Sequence, residues 1–134
     1  MNETIFLDTV GLLALWDRAD QWHAAAEQSF AELLRFRVRF MTMSFVLLEC
    51  GNAVARRPFR SEVVLLRERL DRRGDLIEPT ISDCEQAWAA FARGDAAQAG
   101  IVDQVSFAVM KRLGLTRAFT NDGHFRAAGF ETLF

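Results

Sequence analysis

Short apolar runs alternate with longer segments of helical periodicity along the 134 residues of this chain. Runs rich in β-branched and aromatic residues predict five short strands, at TIFLD (4–8), VRFMTM (38–43), LIEPT (76–80), TRAFTN (116–121) and FETLF (130–134). Apolar positions three and four residues apart predict helices between them. Since strands that alternate with helices form a parallel sheet covered on both faces, the pattern predicts one α/β domain over residues 1–134, a three-layer α/β/α sandwich with a mainly parallel central sheet.

Polar residues and glycines indicate where the helices begin and end. Gly74 and Gly114 follow two amphipathic segments and are expected to end them, and Pro58 is expected to close the helix after the second strand. The expected N-terminal caps are Asp20, Ser44, Ser82 with Glu85 as a capping box, and Asp103. The segment 95–100 is expected to be a loop.

Composition and charge limit the possible classes of protein. The chain is 51% hydrophobic and 25% charged, which suits a compact domain with a real core. Glu3 and Asp8 interrupt the apolar start, and no apolar run is long enough to span a bilayer, so we expect a cytoplasmic protein with no membrane partner. Cys50 and Cys84 have no metal-binding spacing and are expected to be buried, reduced thiols. The net charge of -2 gives no basic footprint of nucleic-acid binding, although every cationic residue except Lys111 is an arginine, which suits phosphate contacts.

Carboxylates stand where the predicted strands end. Asp8 follows the first strand and Asp122 the fourth, while Asp103 begins the helix that leads into the fourth strand. Glu49 lies about five residues into the helix after the second strand, among apolar neighbours, where an unpaired charge is costly. Because ligands of open α/β sheets bind beyond the carboxyl ends of the strands, all four side chains can reach one crevice.

Four carboxylates with no lysine or arginine between them repel one another, and a divalent cation removes that penalty. Oxygen ligands favour hard ions, so the expected cofactor is Mg²⁺ or Mn²⁺. Such an ion can activate water against a phosphodiester bond. Taken singly, Asp103 also suits a plain helix cap and Asp122 a plain turn, so it is the ordered set of four acids that indicates chemistry.

Four stretches in order resemble the PIN domain family: IFLDTVGLLAL (5–15), SFVLLECGNAV (44–54), IVDQVSFAVMKRLGL (101–115) and AFTNDGHFRAAGF (118–130). The likeness extends over essentially the whole chain and is most similar to single-domain VapC-like toxins of bacterial toxin–antitoxin pairs. The resemblance implies a metal-dependent ribonuclease that cuts RNA endonucleolytically and leaves a 3′-hydroxyl and a 5′-phosphate. It also implies a small antitoxin protein as a partner.

The resemblance also assigns roles to particular residues. The catalytic and metal-binding acids of the family match Asp8, Glu49, Asp103 and Asp122. Hydroxyl residues that could orient these ligands from a second layer match Thr9, Ser106 and Thr120. The approach to the third acid, RGDAAQAGIVD (93–103), departs from the family pattern, and Asp95 within it is interpreted as a solvated loop residue. His124 is interpreted as a structural or hydrogen-bonding residue outside the site.

Contacts with partners are less specifically indicated. Candidates for steering the RNA backbone are Arg18, Arg56 and Arg57. The chain is expected to form a homodimer, which could line a shared groove with arginines. The stretch SEVVLLRERL (61–70) and the apolar first helices could supply the dimer contact or the surface that an antitoxin covers. The same stripes also suit plain core packing.

Two other classes of α/β protein require residues that this chain lacks. A phosphoacceptor receiver domain needs an adjacent acidic pair near the first strand and a late lysine, and a haloacid-dehalogenase-like phosphatase needs D-x-D, where Val10 occupies the second place. The stronger alternatives are a non-catalytic PIN-like module that binds RNA or a protein, and a housekeeping RNA-processing nuclease. A pure binding module has no need of four clustered carboxylates, so the sequence favours an enzyme.

Overall fold

The computed structural model describes residues 3–134. Its strands are β1 (Thr4–Leu7), β2 (Arg39–Met43), β3 (Leu76–Ile77), β4 (Arg117–Phe119) and β5 (Glu131–Thr132). Its helices are α1 (Thr9–Trp16), α2 (His23–Arg35), α3 (Ser44–Val54), α4 (Arg60–Arg73), α5 (Ile81–Arg93), the single turn α6 (Asp95–Gln98), α7 (Ile101–Leu113) and α8 (Gly123–Ala127). All five predicted strands are present, each shorter than the run that predicted it. In this range no helix has both the length and the apolar character needed to traverse a bilayer.

The five strands form one parallel sheet in the order β3-β2-β1-β4-β5. From β1 the chain adds β2 and β3 on one side, and then crosses over to add β4 and β5 on the other. Right-handed crossovers therefore place α1–α4 on one face and α5–α8 on the opposite face. The predicted three-layer α/β/α sandwich is confirmed. The strand order reverses beside β1, which is where open parallel sheets leave a crevice at their carboxyl ends.

Two buried carboxyls each have an arginine partner. Asp83, in the first turn of α5, accepts three hydrogen bonds from Arg112 of α7, the shortest of 2.8 Å. This guanidinium lowers the pKa of the Asp83 carboxyl. Asp75, directly before β3, accepts a hydrogen bond of 2.7 Å from Arg39 Nε of β2. These pairs join α5 to α7 and β2 to the start of β3.

All four expected helix caps differ from the observed ones, beginning with those of α2 and α3. Trp22 occupies the cap position of α2, and Asp20 instead accepts a hydrogen bond of 2.8 Å from the Trp22 N–H in the preceding turn. Ser44 is already the first residue of α3, because this helix follows β2 without a linker, and its hydroxyl donates to Glu78 at 2.7 Å. α3 also ends before it reaches Pro58.

The ends of the other helices follow the sequence more closely. Gly74 and Gly114 end α4 and α7 with φ values of 73° and 71°, the left-handed conformation that glycine adopts without strain. α5 does begin with a capping box, but the pair is Thr80–Asp83 rather than Ser82–Glu85. Thr80 is the last extended residue before α5. Because the backbone changes from extended to helical directly after it, Thr80 takes the cap position.

α6, in the segment expected to be a loop, is a left-handed helical turn. Residues Ala96–Gln98 have φ values of 55°, 57° and 62°, a conformation that costs residues with a side chain about 1–2 kcal/mol each. Other elements hold the turn in place. Gln104 Nε2 of α7 donates to the Asp95 carbonyl at 2.9 Å, and His124 Nδ1 of α8 donates to the Ala96 carbonyl at 3.1 Å.

A close backbone approach fixes the start of α1 against β4. A Cβ atom at Gly11 would lie 2.0 Å from the carbonyl oxygen of Phe119, so only glycine fits at this position. The ring of Phe119 is itself fully buried in the core, together with Phe6 and Phe125. The first turn of α1 therefore lies directly beside the carboxyl end of β4.

Gly11→Ala is expected to lower the free energy of unfolding by about 2 kcal/mol or more, because the added methyl group must displace backbone rather than a flexible side chain. Denaturant unfolding measures this change. Gly51→Ala is the matched control, since Gly51 lies within α3 with nothing within 4 Å of the new Cβ and the substitution favours helix. Equal stability of the Gly11→Ala variant and the wild type would contradict the packing described here.

Candidate active site

The register of the sheet places an acid and a hydroxyl side by side. Leu7 of β1 pairs with Phe119 of β4, so the residues that follow, Asp8 and Thr120, are also neighbours. Thr120 Oγ1 donates to Asp8 Oδ2 at 2.8 Å and accepts a hydrogen bond of 3.1 Å from the Asp122 N–H. Asp8 is also the N-cap of α1 and accepts a hydrogen bond from a backbone N–H of that helix. One hydroxyl thus fixes the Asp8 carboxyl relative to the backbone of Asp122.

Asp122 and Asp103 meet from the starts of two helices. Asp122 caps α8 and accepts a hydrogen bond of 2.9 Å from the His124 N–H. Gly100 occupies the cap position of α7, so Asp103 is not the cap that the sequence predicts. It lies in the first turn of α7, and its carboxyl is close enough to that of Asp122 for the charge of Asp122 to raise its pKa.

Glu49 reaches the same region from α3. Its Oε1 accepts a hydrogen bond of 2.6 Å from the hydroxyl of Thr9, the residue after Asp8. The thiol of Cys50 also contacts Thr9, and burial, together with the charges of Asp8 and Glu49, raises the pKa of this thiol to about 12. Cys50 is therefore a buried thiol, as predicted, whereas Cys84 is half-buried, and neither forms a disulfide.

Arginine and lysine partners are missing from this cluster. Within residues 3–134, no arginine or lysine forms an ion pair with any of the four acids. Asp8 is only 1% exposed, and burial, followed by the charge of Asp103, raises its pKa to about 8. Burial, followed by the charges of Asp122 and Glu49, raises the pKa of Asp103 to about 7. The two other buried aspartates each have an arginine partner, so the missing partner is particular to this site.

The cluster suits a hard divalent cation by its chemistry. Its donors are carboxylate oxygens, which Mg²⁺ and Mn²⁺ prefer. Among the described residues no group of three His, Cys, Asp or Glu side chains is already arranged to hold a metal ion, although the charges of the acids act on one another. Burial first, and crowded negative charge second, raise the pKa values of Asp8 and Asp103, and a cation bound there would replace protons.

Of the three hydroxyl residues predicted to orient the acids, two contact an acid and one does not. Thr9 and Thr120 donate directly to the carboxyls of Glu49 and Asp8. Ser106 lies on α7 one turn after Asp103 and is fully buried, and its Oγ has no hydrogen-bond partner in the described part of the chain.

The predicted arginines lie outside the cluster. Arg57 forms an ion pair of 3.3 Å with Asp17 and lies over the ring of Phe59. Arg18 and Arg56 are exposed. Arg18 also lines a hollow of about 770 Å³ between α1, α2 and α4, and a second hollow of about 440 Å³ lies among α5, α6, α7 and α8. None of the four acids lines either hollow. An RNA-steering role for the arginines stays a prediction.

His124 belongs with the acids more closely than the sequence indicates. Its charge lowers the pKa of Asp103, which places the ring near that carboxyl. In the sequence, only its position two residues after Asp122 indicated that His124 lies near the acids. Asp95 is exposed and forms an ion pair of 2.9 Å with Arg93, so it has no part in the cluster, in agreement with its interpretation as a solvated residue.

Comparison with known proteins decides the family. The sequence profile of the PIN domain matches residues 5–131. The chain belongs to the PIN domain family. A PIN relative from Mycobacterium tuberculosis (strain CDC 1551 / Oshkosh), described as 23S rRNA-specific endonuclease VapC20, is 35% identical over 127 residues, which are 94% of this chain and 95% of the relative. The resemblance found in the four sequence stretches is therefore confirmed.

Solved structures share the PIN fold. The crystal structure of Mycobacterium tuberculosis VapC20, described as a sarcin–ricin loop cleaving toxin, matches with a TM-score of 0.76 at 31% identity, over 94% of this chain and 95% of that one. FitAcB from Neisseria gonorrhoeae matches with a TM-score of 0.59 at 20% identity, over 97% and 96% of the two chains. DNA-bound VapBC from Salmonella typhimurium matches with a TM-score of 0.59 at 15% identity, over 98% and 97%.

The stability of the metal-free PIN domain is expected to fall as pH rises from about 5 to 8. Because the pKa values of Asp8 and Asp103 are raised in the folded chain, the folded state holds more protons than the unfolded state across this range. The free energy of unfolding therefore decreases with pH, by about 1.4 kcal/mol per pH unit for each of these carboxyls while it stays protonated in the folded chain. The lowered pKa of Asp83 acts oppositely, but only below the ordinary carboxyl range.

Thermal melting at a series of pH values, with a chelator present, measures this slope. Asp8→Asn removes the most buried of the four acids and is expected to flatten the slope and to leave stability at pH 8 equal to or above that of the wild type. Asp95→Asn, which changes an exposed acid outside the cluster, is expected to keep the wild-type slope. A wild-type melting temperature that stays constant or rises from pH 5 to 8 would contradict the charge crowding.

Proposed function

We propose that this chain is a Mg²⁺- or Mn²⁺-dependent endoribonuclease and the toxin of a toxin–antitoxin pair. The observation that supports this most is the meeting of four carboxyls at one edge of the sheet without a basic partner, namely Asp8, Glu49, Asp103 and Asp122. Unpaired buried charge costs stability, so its presence favours a function over a structural role. The relative described as an endonuclease, at 35% identity over nearly the whole chain, supports nuclease chemistry.

Each part of the site has a proposed task. Asp8 and Asp103 would hold the ion, and Glu49 and Asp122 would complete the set of oxygen donors. The ion would supply the positive charge that polarises the scissile phosphate and activates water. Thr9 and Thr120 hold the acids in orientation through the hydrogen bonds already described. The products are an RNA end with a 3′-hydroxyl and one with a 5′-phosphate.

The relatives suggest which RNA to test first. The Mycobacterium tuberculosis protein is described as specific for 23S rRNA and as cleaving the sarcin–ricin loop. We propose a hairpin with this loop as the substrate of the present chain. Proteins recognise RNA sequence mostly in loops, where unstacked bases are accessible, and an open edge of a sheet can receive such a loop.

Asp8→Asn, Glu49→Gln, Asp103→Asn and Asp122→Asn are each expected to lower the rate of RNA cleavage more than about a hundredfold. The reason is that even residues that only support metal ligands typically cost 10–100-fold when they are changed. Cleavage of the labelled hairpin with Mg²⁺ or Mn²⁺, and with EDTA, measures the effect.

Asp95→Asn is the control for these variants, because Asp95 is an exposed acid that pairs with Arg93 outside the cluster. It is expected to cleave at the wild-type rate. Cleavage that persists in EDTA, or an Asp8→Asn variant as active as the wild type, would overturn the mechanism. Binding of the hairpin without any cleavage by the wild type would favour the non-catalytic binding module instead.

The hollow between α1, α2 and α4 is the surface that we assign to the antitoxin. It is about 770 Å³ in volume, its lining is largely apolar, and Arg18, Arg69 and Arg73 line it together with Glu27 and Glu62. An apolar groove that also carries charged side chains suits an amphipathic helix. This hollow lies between α1, α2 and α4, which are the helices whose apolar stripes predicted a dimer contact or an antitoxin surface. Light scattering of the chain alone tests the homodimer that the same stripes predict.

Leu34→Glu is expected to weaken antitoxin binding at least tenfold and to leave RNA cleavage unchanged. Leu34 lines the hollow and is 57% exposed, so the change places a charge on a contact surface without disturbing the core. Val64→Glu is the matched control, since Val64 is 56% exposed on α4 but does not line the hollow. Co-purification and titration with the small protein encoded beside this chain measure binding. Equal affinity of the two variants would rule out this hollow as the docking surface.

A further inference from the structure

The side chain of Arg126, on α8, is held at the carboxyl edge of the sheet. Its Nη1 donates to the hydroxyl of Thr132, the last residue of β5, at 2.9 Å and lies 3.5 Å from the carbonyl oxygen of Asn121. Its Nη2 lies 3.3 Å from the position that a Cβ atom of Gly123 would take. The guanidinium therefore contacts the residues on both sides of Asp122, one of the four acids.

The charge of this guanidinium has no partner within residues 3–134. Arg126 is exposed and forms no ion pair in this range. Only Nη1 makes hydrogen bonds there, so the donors of Nε and Nη2 are free to bind a ligand. Because ordering an arginine side chain costs rotamer entropy, an arginine held by neutral groups at an acid-rich edge needs an explanation other than ion pairing.

The arginines that begin strands at the opposite edge of the sheet are bound differently. Arg39 begins β2 and forms an ion pair with Asp75. Arg117 begins β4 and forms ion pairs with Glu3 and Glu131. At the amino edge the guanidinium charges are therefore balanced within the chain, whereas at the carboxyl edge the charge is left for a ligand.

The spacing of the strands separates this guanidinium from the centre of the acid cluster. In the sheet β4 lies between β1 and β5, and neighbouring strands are about 5 Å apart. Thr132 is therefore roughly 10 Å from the strand that Asp8 follows. A phosphate at the acids is too far away to bind the guanidinium directly, so the ligand that suits this position is a neighbouring phosphate of the same RNA strand.

We propose that Arg126 binds the backbone phosphate next to the scissile one and so fixes the register of the RNA across the four acids. Arginine presents several N–H donors in a rigid fork that matches phosphate oxygens, and its charge is permanent at every working pH. The inference rests on the proposed ribonuclease function and deepens it by assigning a substrate-binding residue. The arginines that the sequence suggested for this task, Arg18, Arg56 and Arg57, do not include it.

Arg126→Gln is expected to raise KM for the hairpin about tenfold and to leave kcat nearly unchanged. The reason is that a contact with a neighbouring phosphate is equally strong in the bound substrate and in the transition state. Arg67→Gln is the matched control, since Arg67 is exposed on α4 and has no ion pair in the described part of the chain. It is expected to keep the wild-type KM. Steady-state cleavage with Mg²⁺ measures both.

Binding without cleavage gives a second measurement. In an Asp8→Asn background, which is expected not to cut, hairpin affinity is titrated at a series of salt concentrations. Adding Arg126→Gln is expected to reduce the slope of log affinity against log salt by about 0.7, the value for one phosphate contact of a single strand. Loss of a merely structural arginine would leave this slope unchanged.

Uncharged methylphosphonates, placed singly on each side of the mapped cut, locate the contact on the RNA. For the wild type, one of these substitutions is expected to raise KM about tenfold, and for Arg126→Gln the same substitution is expected to have no effect. Thr132→Val removes the hydroxyl that holds Nη1 but keeps the charge. It is expected to raise KM less than Arg126→Gln does and to keep the wild-type salt slope.

The outcomes of the two proposals are distinguishable. If Arg126→Gln keeps the wild-type KM and salt slope, or if the wild type tolerates methylphosphonates on both sides of the cut, the role of Arg126 is wrong and the ribonuclease proposal stands. A loss of kcat at constant KM would place the guanidinium on the scissile phosphate and also overturn this role. If the wild type cuts no RNA with either ion, the ribonuclease proposal fails and the role of Arg126 fails with it. Thermal unfolding of each variant confirms that it is folded before its rates are compared.

Discussion

Crowding of carboxyl groups without an arginine or lysine partner is the constraint on which the site of this PIN domain depends. Elsewhere in the fold a buried aspartate has an arginine beside it, as Asp83 has Arg112. At the carboxyl edge of the sheet burial and mutual repulsion instead raise the pKa values of Asp8 and Asp103. The first arrangement stabilises the chain at neutral pH, whereas the second destabilises it and favours binding of a divalent cation.

The sheet topology is what allows such crowding. Strand order reverses beside β1, so the ends of β1 and β4 are adjacent although more than a hundred residues separate them in sequence. Gly11 lets α1 approach β4 without a clash, and the hydroxyl of Thr120 then connects Asp8 to the backbone of Asp122. The acids therefore have rigid supports, which a site needs if its charges are to meet a phosphate in a fixed geometry.

Residues around the acids are held by hydrogen bonds that join α6, α7 and α8. A strained turn is retained in α6, and it orients the ring of His124 beside Asp103. The family relationship accounts for the acids and the fold, while the contacts of this histidine are read from the structure alone.

The sequence by itself determined the alternation of strands and helices, the glycines that end α4 and α7, and the four acids, because these signals depend on a few neighbouring residues or on a family pattern. It misassigned caps such as Ser44 and Asp103, since several polar residues in a row can cap a helix and the point where the chain leaves the sheet selects among them. Only the tertiary structure decided the left-handed turn of α6, the hydrogen bond from Thr120 to Asp8 and the orientation of the His124 ring. The physical reason is that each of these arises from contacts between residues distant in sequence, which no local pattern encodes.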